Sequence, residues 1–387
     1  MKQPVADTTD RMVIGLVAAM FALSVLQKFP NIVGLNFYSD LVSWYYDPAV
    51  VSMNAVMARF VTYPAFRIAN SPEGYVLVTG AILLAALIAS TFVLLKLLTM
   101  LGLQRWRVLL FALSPSFLFF AYYNIDAVGI LFIVGALYFA LRKNWTLSAV
   151  CLGLAIATKL FPFIYIPFVW LFQPDWKQRI KYALVALLTW LAVNLPFMVT
   201  NLSDWLLFVN VQSQWGIEDS WMIFIMPRMS PFSHYLSYLL LALGIVHLLR
   251  RSMSLERAWF AATLVFMLSS FKFPPQYFLY ILPFTVILGF TRLEFLLVAD
   301  VLNALIIATW FTPWLSAGNP LEASSPTQWI SLAREMILLA VLVYSVHPTA
   351  SKWLFEPFVS ISQRQQASAS SSFEYKGRER PGRKFVS

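Results

Sequence analysis

At residues 38 to 47 the chain reads Tyr38-Ser39-Asp40-Leu41-Val42-Ser43-Trp44-Tyr45-Tyr46-Asp47. This acidic and aromatic stretch follows the first apolar run, Met12 to Phe29, and opens a polar segment that extends to about Glu73. Asp40 is the first acid after the apolar run, which makes this loop the first candidate for a functional site. An interfacial loop whose Trp and Tyr rings lie at headgroup level explains the same composition. The candidate residues here are Tyr38, Asp40, Trp44, Tyr45 and Asp47.

The composition indicates an all-α polytopic membrane protein. Of the 387 residues, 60% are hydrophobic and 12% are charged, and the mean hydropathy is +0.71. Soluble domains carry about 25% charged residues. The net charge of +10 does not indicate a nucleic-acid partner, because most Lys and Arg residues lie in short clusters between apolar runs. The three histidines and the single Cys151 show no metal-ligand spacing, so we expect neither a metal nor a cofactor.

Twelve apolar segments are predicted to cross the membrane. They are residues 12–29, 74–98, 107–123, 126–141, 145–158, 161–173, 181–199, 232–250, 257–271, 275–291, 294–312 and 329–346. Placing the N-terminus in the cytoplasm puts most basic residues on the inner side, as membrane topology requires. Both termini are then cytoplasmic, in the plasma membrane of a prokaryote or the endoplasmic reticulum of a eukaryote. Residues 1–346 form the predicted transmembrane domain, and 347–387 form a predicted disordered basic tail that can contact anionic lipid.

Three of the predicted helical hairpins are too short for the bilayer. Each arm has roughly 16 residues and rises about 24 Å, whereas the hydrocarbon core is about 30 Å thick. Their turns carry Asp126, Lys159 and Lys272, and such residues are costly at membrane depth unless they face protein or water. The pattern predicts a recessed cavity, open to the outer face, with one acid and two lysines at its floor. The two lysine turns, at 159–168 and 272–284, are also similar in sequence.

This predicted cavity suits an anionic lipid such as a polyprenyl phosphate, whose tail stays in the bilayer. Lys159 and Lys272 would neutralise the phosphate oxygens, with Arg228 as a weaker third candidate. In glycosyl transfer from such a carrier, negative charge grows on the departing phosphate, and fixed cations stabilise it. The hydroxyl of a glycan or lipid acceptor loses its proton to a carboxylate that acts as general base. The candidate acids, in order, are Asp40, Asp47 and Asp126.

Three motifs resemble those of a known group of enzymes. Tyr38-Ser39-Asp40-Leu41 with Trp44-Tyr45-Tyr46 resembles the first external loop of GT-C glycosyltransferases. Asn124-Ile125-Asp126 and Ala157-Thr158-Lys159 are similar to the central signature of glycosyltransferase family 87 and GPI mannosyltransferase I-like proteins. Lys272-Phe273-Pro274-Pro275-Gln276-Tyr277 resembles the late Lys-Phe-Ser-Pro-Gln-Tyr motif of that group. The likeness extends over roughly residues 10 to 346.

The resemblance implies a GT-C-like fold and a polyprenyl-phosphate sugar donor, commonly a mannose carrier such as dolichol phosphate. It also implies an inverting transfer outside the cytoplasm, in glycan biosynthesis, with Asp40 as catalytic base. Gln276 and Tyr277 become candidate substrate contacts. The chain departs from the group at Val42, where a second acid is typical, and at Pro274, where serine is usual.

A transporter or flippase of lipid-linked sugars is the main alternative, because buried charges and many spans suit it as well. Transporters are commonly built from two matching halves. Here the long outer loop occurs once, after the first span, which favours the transferase. A non-catalytic assembly subunit would not need charged turns.

Overall fold

The computed structural model describes residues 8–29, 38–288, 293–312, 315 and 318–347, and within these ranges the chain is helical without strands. The α-helices are α1 Thr8–Leu26, α2 Asp40–Tyr46, α3 Met57–Ile68, α4 Pro72–Met100, α5 Leu109–Ala112, α6 Pro115–Phe120, α7 Asp126–Leu141, α8 Trp145–Thr158, α9 Ile166–Phe172, α10 Trp176–Thr200, α11 Leu202–Gln214, α12 Phe232–Leu249, α13 Leu255–Ser269, α14 Leu282–Leu288, α15 Leu293–Phe311 and α16 Pro326–Val346. Short 3₁₀ helices span Pro48–Met53, Arg105–Val108, Phe161–Tyr165, Trp221–Phe224 and Pro275–Tyr280.

Helix length and composition confirm the prediction of an all-α polytopic membrane protein. Among the described residues, six helices are long and apolar enough to cross a membrane, namely α1, α4, α10, α12, α15 and α16. Shorter apolar helical segments cover 126–141, 145–158, 161–172 and 275–288. These shorter segments include arms of the hairpins that the sequence predicts to be short. The total of twelve spans stays a prediction.

Proline breaks the helical path at both lysine-bearing turns. After Lys159, a 3₁₀ helix that begins Phe161-Pro162 leads into the short helix α9. After Lys272, a 3₁₀ helix that begins at Pro275 leads towards the short helix α14. Proline has no N–H to donate and its ring clashes with the preceding turn, so a regular α-helix cannot run through these positions. The two turns therefore share a local structure as well as a sequence pattern.

The described part of the segment between α1 and α4 contains two α-helices, where the sequence suggested a polar loop that runs to Glu73. One face of α3 buries Ala58, Val61, Thr62 and Ala65, which recur at the spacing of an amphipathic helix. Helix α2 precedes it and begins at Asp40. The loop acid thus lies on an ordered helix that packs on the rest of the protein.

Helices α7 and α8 form the hairpin that brings the first two charged turns together. They pack along each other, with α4 against α7 and α10 against α8. A short turn joins them, so they run in opposite directions. The start of α7 at Asp126 and the end of α8 at Thr158 consequently lie at the same end of the hairpin.

Residues up to Leu342 form one compact unit, and a second unit begins at Val343. The structure describes the second unit only to His347. From residue 348 onwards, the predicted tail lies outside the described residues.

Candidate active site

Asp40 lies at the first turn of α2 and contacts the turn before α7. The hydroxyl of Ser39 donates to the carbonyls of Tyr122 at 3.2 Å and Tyr123 at 3.1 Å, which fastens the start of α2 to that turn. The side-chain amide of Asn124 then donates to Asp40 Oδ2 at 2.7 Å. The structure therefore brings the acid of the first loop to the first charged turn.

Asp126 is fully buried and holds Lys159. The Lys159 ammonium lies 3.4 Å from Asp126 Oδ1, and the Tyr280 hydroxyl donates to the same oxygen at 2.8 Å. The ammonium also lies 5.1 Å from the ring centre of Tyr277. This geometry favours Asp126 as the partner of Lys159 rather than as an acid that meets the acceptor.

Lys272, the second lysine of the predicted site, contacts a different segment, which contains Trp215 and Glu218. Its backbone pairs with that of Glu218 in an isolated parallel bridge. Its ammonium lies 3.4 Å from the ring centre of Trp215, and the Trp215 indole donates to Glu218 Oε2 at 2.5 Å. The two lysines of the predicted phosphate site therefore have different carboxylate neighbours.

The pKa of Asp40 is raised, and burial is the main cause. The hydrogen bond from Asn124 and the positive charges of Lys159 and Lys272 act in the opposite direction, because each stabilises the ionised form. The net result is a carboxylate that binds a proton more readily than an ordinary Asp does. A base with a raised pKa is better matched to proton transfer near neutral pH, provided that it is ionised.

The two lysines respond differently to burial. Burial alone lowers the pKa of Lys159, but the negative charges of Asp126 and Asp40 help to outweigh it, so this pKa is raised. Burial also lowers the pKa of Lys272, and there the opposing charge of Glu218 does not fully compensate. Lys159 additionally lowers the pKa of Lys272, because a nearby positive charge disfavours the ionised amine.

A buried polar network supports this site from α15 and α16. Arg334 is fully buried, and its guanidinium donates to the carbonyls of Asp219 and Phe273, both at 3.0 Å, and to Asn303 Oδ1 at 2.7 Å. Asp219 follows Glu218 and Phe273 follows Lys272, so Arg334 ties together the two segments of the bridge. Asp219 itself has φ +52°, in the left-handed region that Asp tolerates better than most residues.

The remaining predicted residues fall into two groups. Tyr38 joins the site: its ring stacks on Phe311 with 4.9 Å between the ring centres, and burial together with the nearby Asp40 charge raises its pKa. The Tyr277 ring contacts the Lys159 ammonium, as described above. Gln276, the preceding residue, is buried. Within the described residues, no hydrogen bond or ion pair joins either lysine to Asp47, Trp44, Tyr45 or Arg228.

The second group, which comprises Asp47, Trp44, Tyr45 and Arg228, contacts other parts of the protein. Asp47 is exposed at the end of α2, where its side chain makes no capping hydrogen bond. Trp44 is buried, and Tyr45 packs against Phe66 and Tyr75. Within the described chain, Arg228 makes no hydrogen bond or ion pair with Asp40 or either lysine. The Arg228 guanidinium contacts Met229 Sδ, and the Arg228 carbonyl accepts from the N–H of Ile217 at 2.8 Å, next to Glu218.

Glu218, Asp219 and Arg334 are site residues that the sequence analysis did not select. Arg334 could have been found, since an ionisable residue within the predicted span 329–346 is a signal of function or buried pairing. Glu218 carries no comparable signal, because it is one of three acids within residues 200–231. Across the ranges that the structure describes, no group of three or more His, Cys, Asp or Glu could hold a metal ion.

Within the described residues, the protein is an all-helical polytopic membrane protein with a buried acid and two lysines at its helix turns. The model of glycosyltransferase family 87 matches residues 69–270, just over half of the chain. The protein belongs to this family and is a membrane glycosyltransferase, which confirms the resemblance drawn from the motifs. No curated protein matches the chain.

Family membership favours the transferase over the transporter, and a glycosyltransferase requires a sugar donor and an acceptor. The match includes Asp126, Lys159 and Glu218, whereas Asp40 and Lys272 lie outside it. The assignment of those two residues therefore depends on the geometry of the site.

Proposed function

We propose that the protein transfers a hexose, with mannose as the first candidate, from a polyprenyl-phosphate carrier to a hydroxyl of a glycan or lipid. The transfer takes place on the extracytoplasmic face and inverts the anomeric centre. One observation carries this proposal: Asn124 donates to Asp40 Oδ2 at 2.7 Å, and Asp126, two residues further along the chain, lies 3.4 Å from the Lys159 ammonium, so one turn holds both the proposed base and a cation. The charge of Lys272 also favours the ionised form of Asp40. A base and two cations are the groups that this reaction needs.

In the proposed reaction, Asp40 accepts the proton of the acceptor hydroxyl. The acceptor oxygen forms a bond to the anomeric carbon while the bond between that carbon and the phosphate oxygen breaks. The electron pair of the broken bond leaves with the carrier phosphate, and Lys159 and Lys272 stabilise the added negative charge. A single displacement of this kind inverts the sugar, because the acceptor attacks from the face opposite the phosphate.

Substrate contacts are proposed for residues beside these groups. Tyr38 is 37% exposed and has its hydroxyl 3.4 Å from Ser43 Oγ, so it offers both an apolar ring and a polar end. Gln276 has a buried side-chain oxygen without a partner among the described residues. A buried polar atom without a partner is costly, and a substrate hydroxyl that donates to it would remove that cost.

The donor class is tested with purified protein in nanodiscs and two sets of radiolabelled donors. One set contains polyprenyl-phosphate mannose, glucose and galactose, and the other contains the matching nucleotide sugars. A membrane-lipid and glycan extract supplies acceptors, and products are separated after solvent extraction. We expect label to move into a new product from a polyprenyl-phosphate sugar, and Asp40→Asn to abolish the transfer. Transfer from nucleotide sugars alone would overturn the proposed donor.

We also propose that the loop of Asp40 faces outward and that the turn after α7 faces the cytoplasm. The distribution of basic residues supports this orientation. The test places single cysteines at Ser43 and Lys143 in a Cys151→Ser background and adds a membrane-impermeant maleimide to intact cells. Labelling at 43 is expected. Labelling at 143 without labelling at 43 would reverse the orientation.

A further inference from the structure

The segment that carries Trp215 and Glu218 lies directly alongside Lys272. The backbone N–H of Glu218 donates to the carbonyl of Phe271 at 3.0 Å, and the N–H of Phe273 donates to the carbonyl of Glu218 at 3.0 Å. These two hydrogen bonds fix the register of the two segments, as they do between neighbouring parallel strands. Glu218 and Lys272 are therefore opposite each other in the bridge.

The side chains of this bridge form a connected set. The Trp215 indole N–H donates to Glu218 Oε2 at 2.5 Å, which restrains the carboxylate. The Lys272 ammonium lies over the Trp215 ring, 3.4 Å from its centre, which is within the range of a cation–π contact. One tryptophan thus contacts both the acid and the lysine. Arg334 also stabilises the bridge, because its guanidinium donates to the carbonyl groups of Asp219 and Phe273.

Lys272 needs such support because its charge is disfavoured. Burial lowers the pKa of Lys272, and the nearby charge of Lys159 lowers it further. Glu218 provides the largest opposing effect, ahead of Asp40 and Asp219. A neutral amine would lose the charge that stabilises an anionic leaving group.

We propose that Trp215 and Glu218 are positioning residues that hold the Lys272 ammonium, charged and in place, for the phosphate of the donor. The role of the phosphate rests on the proposed function, whereas the effect on Lys272 does not. Neither residue needs to contact the sugar or the reacting bond. A purely structural link would hold the two segments together without affecting the protonation of Lys272.

The test measures the protonation of Lys272 directly, without turnover. Detergent-solubilised protein is treated with formaldehyde and a borane reductant across a pH series, and the methylation of Lys272 is quantified by peptide mass spectrometry. Only the neutral amine reacts, so the pH midpoint reports its charge and the plateau at high pH reports its accessibility. The exposed Lys177 is an internal reference.

Glu218→Gln keeps the size of the side chain and removes its charge. We expect the labelling midpoint of Lys272 to move to lower pH, with about three- to tenfold faster labelling at pH 7, because an opposite charge has been lost. Trp215→Phe keeps an aromatic ring but removes the donor to Glu218, and a smaller shift in the same direction is expected. Glu322→Gln is the matched control, since Glu322 is an exposed outer-loop acid, and it should leave the midpoint unchanged.

An unchanged Lys272 midpoint in folded Glu218→Gln protein would overturn the proposal, whatever the donor is. If the plateau rises without a shift in the midpoint, the substitution has only opened access, and the proposal is again wrong. A shifted midpoint in a protein that uses no polyprenyl-phosphate sugar would leave the positioning role intact and refute the proposed donor. With an active donor, Glu218→Gln should raise its KM increasingly as pH rises, with a smaller effect on kcat.

Discussion

Asn124→Ala removes the amide that donates to Asp40 Oδ2 at 2.7 Å. A hydrogen bond to a charged group contributes about 1.5–3 kcal/mol. One pKa unit corresponds to about 1.36 kcal/mol, so losing a bond that stabilises the ionised carboxylate should raise its pKa by about one to two units. Asp40 acts as a base only when it is ionised. The acidic limb of the pH–rate profile should therefore move to higher pH by the same amount.

The assay is kcat/KM for transfer as a function of pH, which reports the ionisation of the free enzyme. Well above the shifted limb, the variant should recover most of the wild-type rate, because the base itself is still present. Asn124 also accepts a hydrogen bond from the N–H of Ile125 at 2.6 Å, and Asn124→Ala loses that contact too. Asn124→Asp is the control: it keeps an oxygen for Ile125 but places a second acid against Asp40.

Asn124→Asp should therefore shift the limb at least as far as Asn124→Ala, since two neighbouring carboxylates resist joint ionisation. If both folded variants keep the wild-type acidic limb, Asp40 is not the group whose ionisation controls transfer. If the alanine variant loses activity equally at every pH, Asn124 positions the loop without tuning the base.

Asp40→Asn preserves shape but cannot accept a proton, so transfer should fall about 10²–10⁴-fold with donor binding nearly unchanged, and near-normal turnover would show that the base is misassigned. Lys159→Met and Lys272→Met should each lower donor use by about 1.5–3 kcal/mol in kcat/KM, and an unchanged value in either variant would remove that lysine from the phosphate site. Arg334→Met leaves the acceptors of a buried cation unpaired, so the free energy of unfolding in detergent should fall by about 3–5 kcal/mol. Arg334→Lys should not restore this stability, because lysine lacks the planar fork of donors. An unchanged unfolding transition would contradict the supporting role of Arg334.

The sequence was sufficient to predict the part of the site that contains Asp126 and Lys159. The turns carry isolated charges between apolar helices, and a short antiparallel hairpin has to bring the start of α7 and the end of α8 together. Asp126 and Lys159 were therefore predictable as neighbours. Helix α3, between α1 and α4, was also predictable, because Ala58, Val61 and Ala65 recur at helical spacing.

The remaining part depends on contacts between segments that are distant in sequence. The pairing of Glu218 with Lys272 joins the segment after α11 to the turn after α13, and no local pattern specifies that register. Arg334 reaches the same bridge from α16, more than 100 residues from Asp219. The exposed Asp47 shows the converse, because its position close to Asp40 in sequence did not bring it into the site.

The distribution of partners within the site suggests why three charged groups can be close together without neutralising the base. Lys159 has Asp126 as its ion-pair partner, and Lys272 has Glu218 as its strongest favourable charge. Asp40 instead accepts from Asn124, a neutral amide that carries no proton for it to exchange. The strongest favourable charge on each lysine thus comes from an acid other than the proposed base, with Asp40 as a weaker contributor. In the proposed reaction, a carrier phosphate can then engage both cations while Asp40 takes the acceptor proton. An arrangement in which Asp40 were the main partner of either lysine would couple donor binding to loss of the base, and the separate partners avoid that coupling.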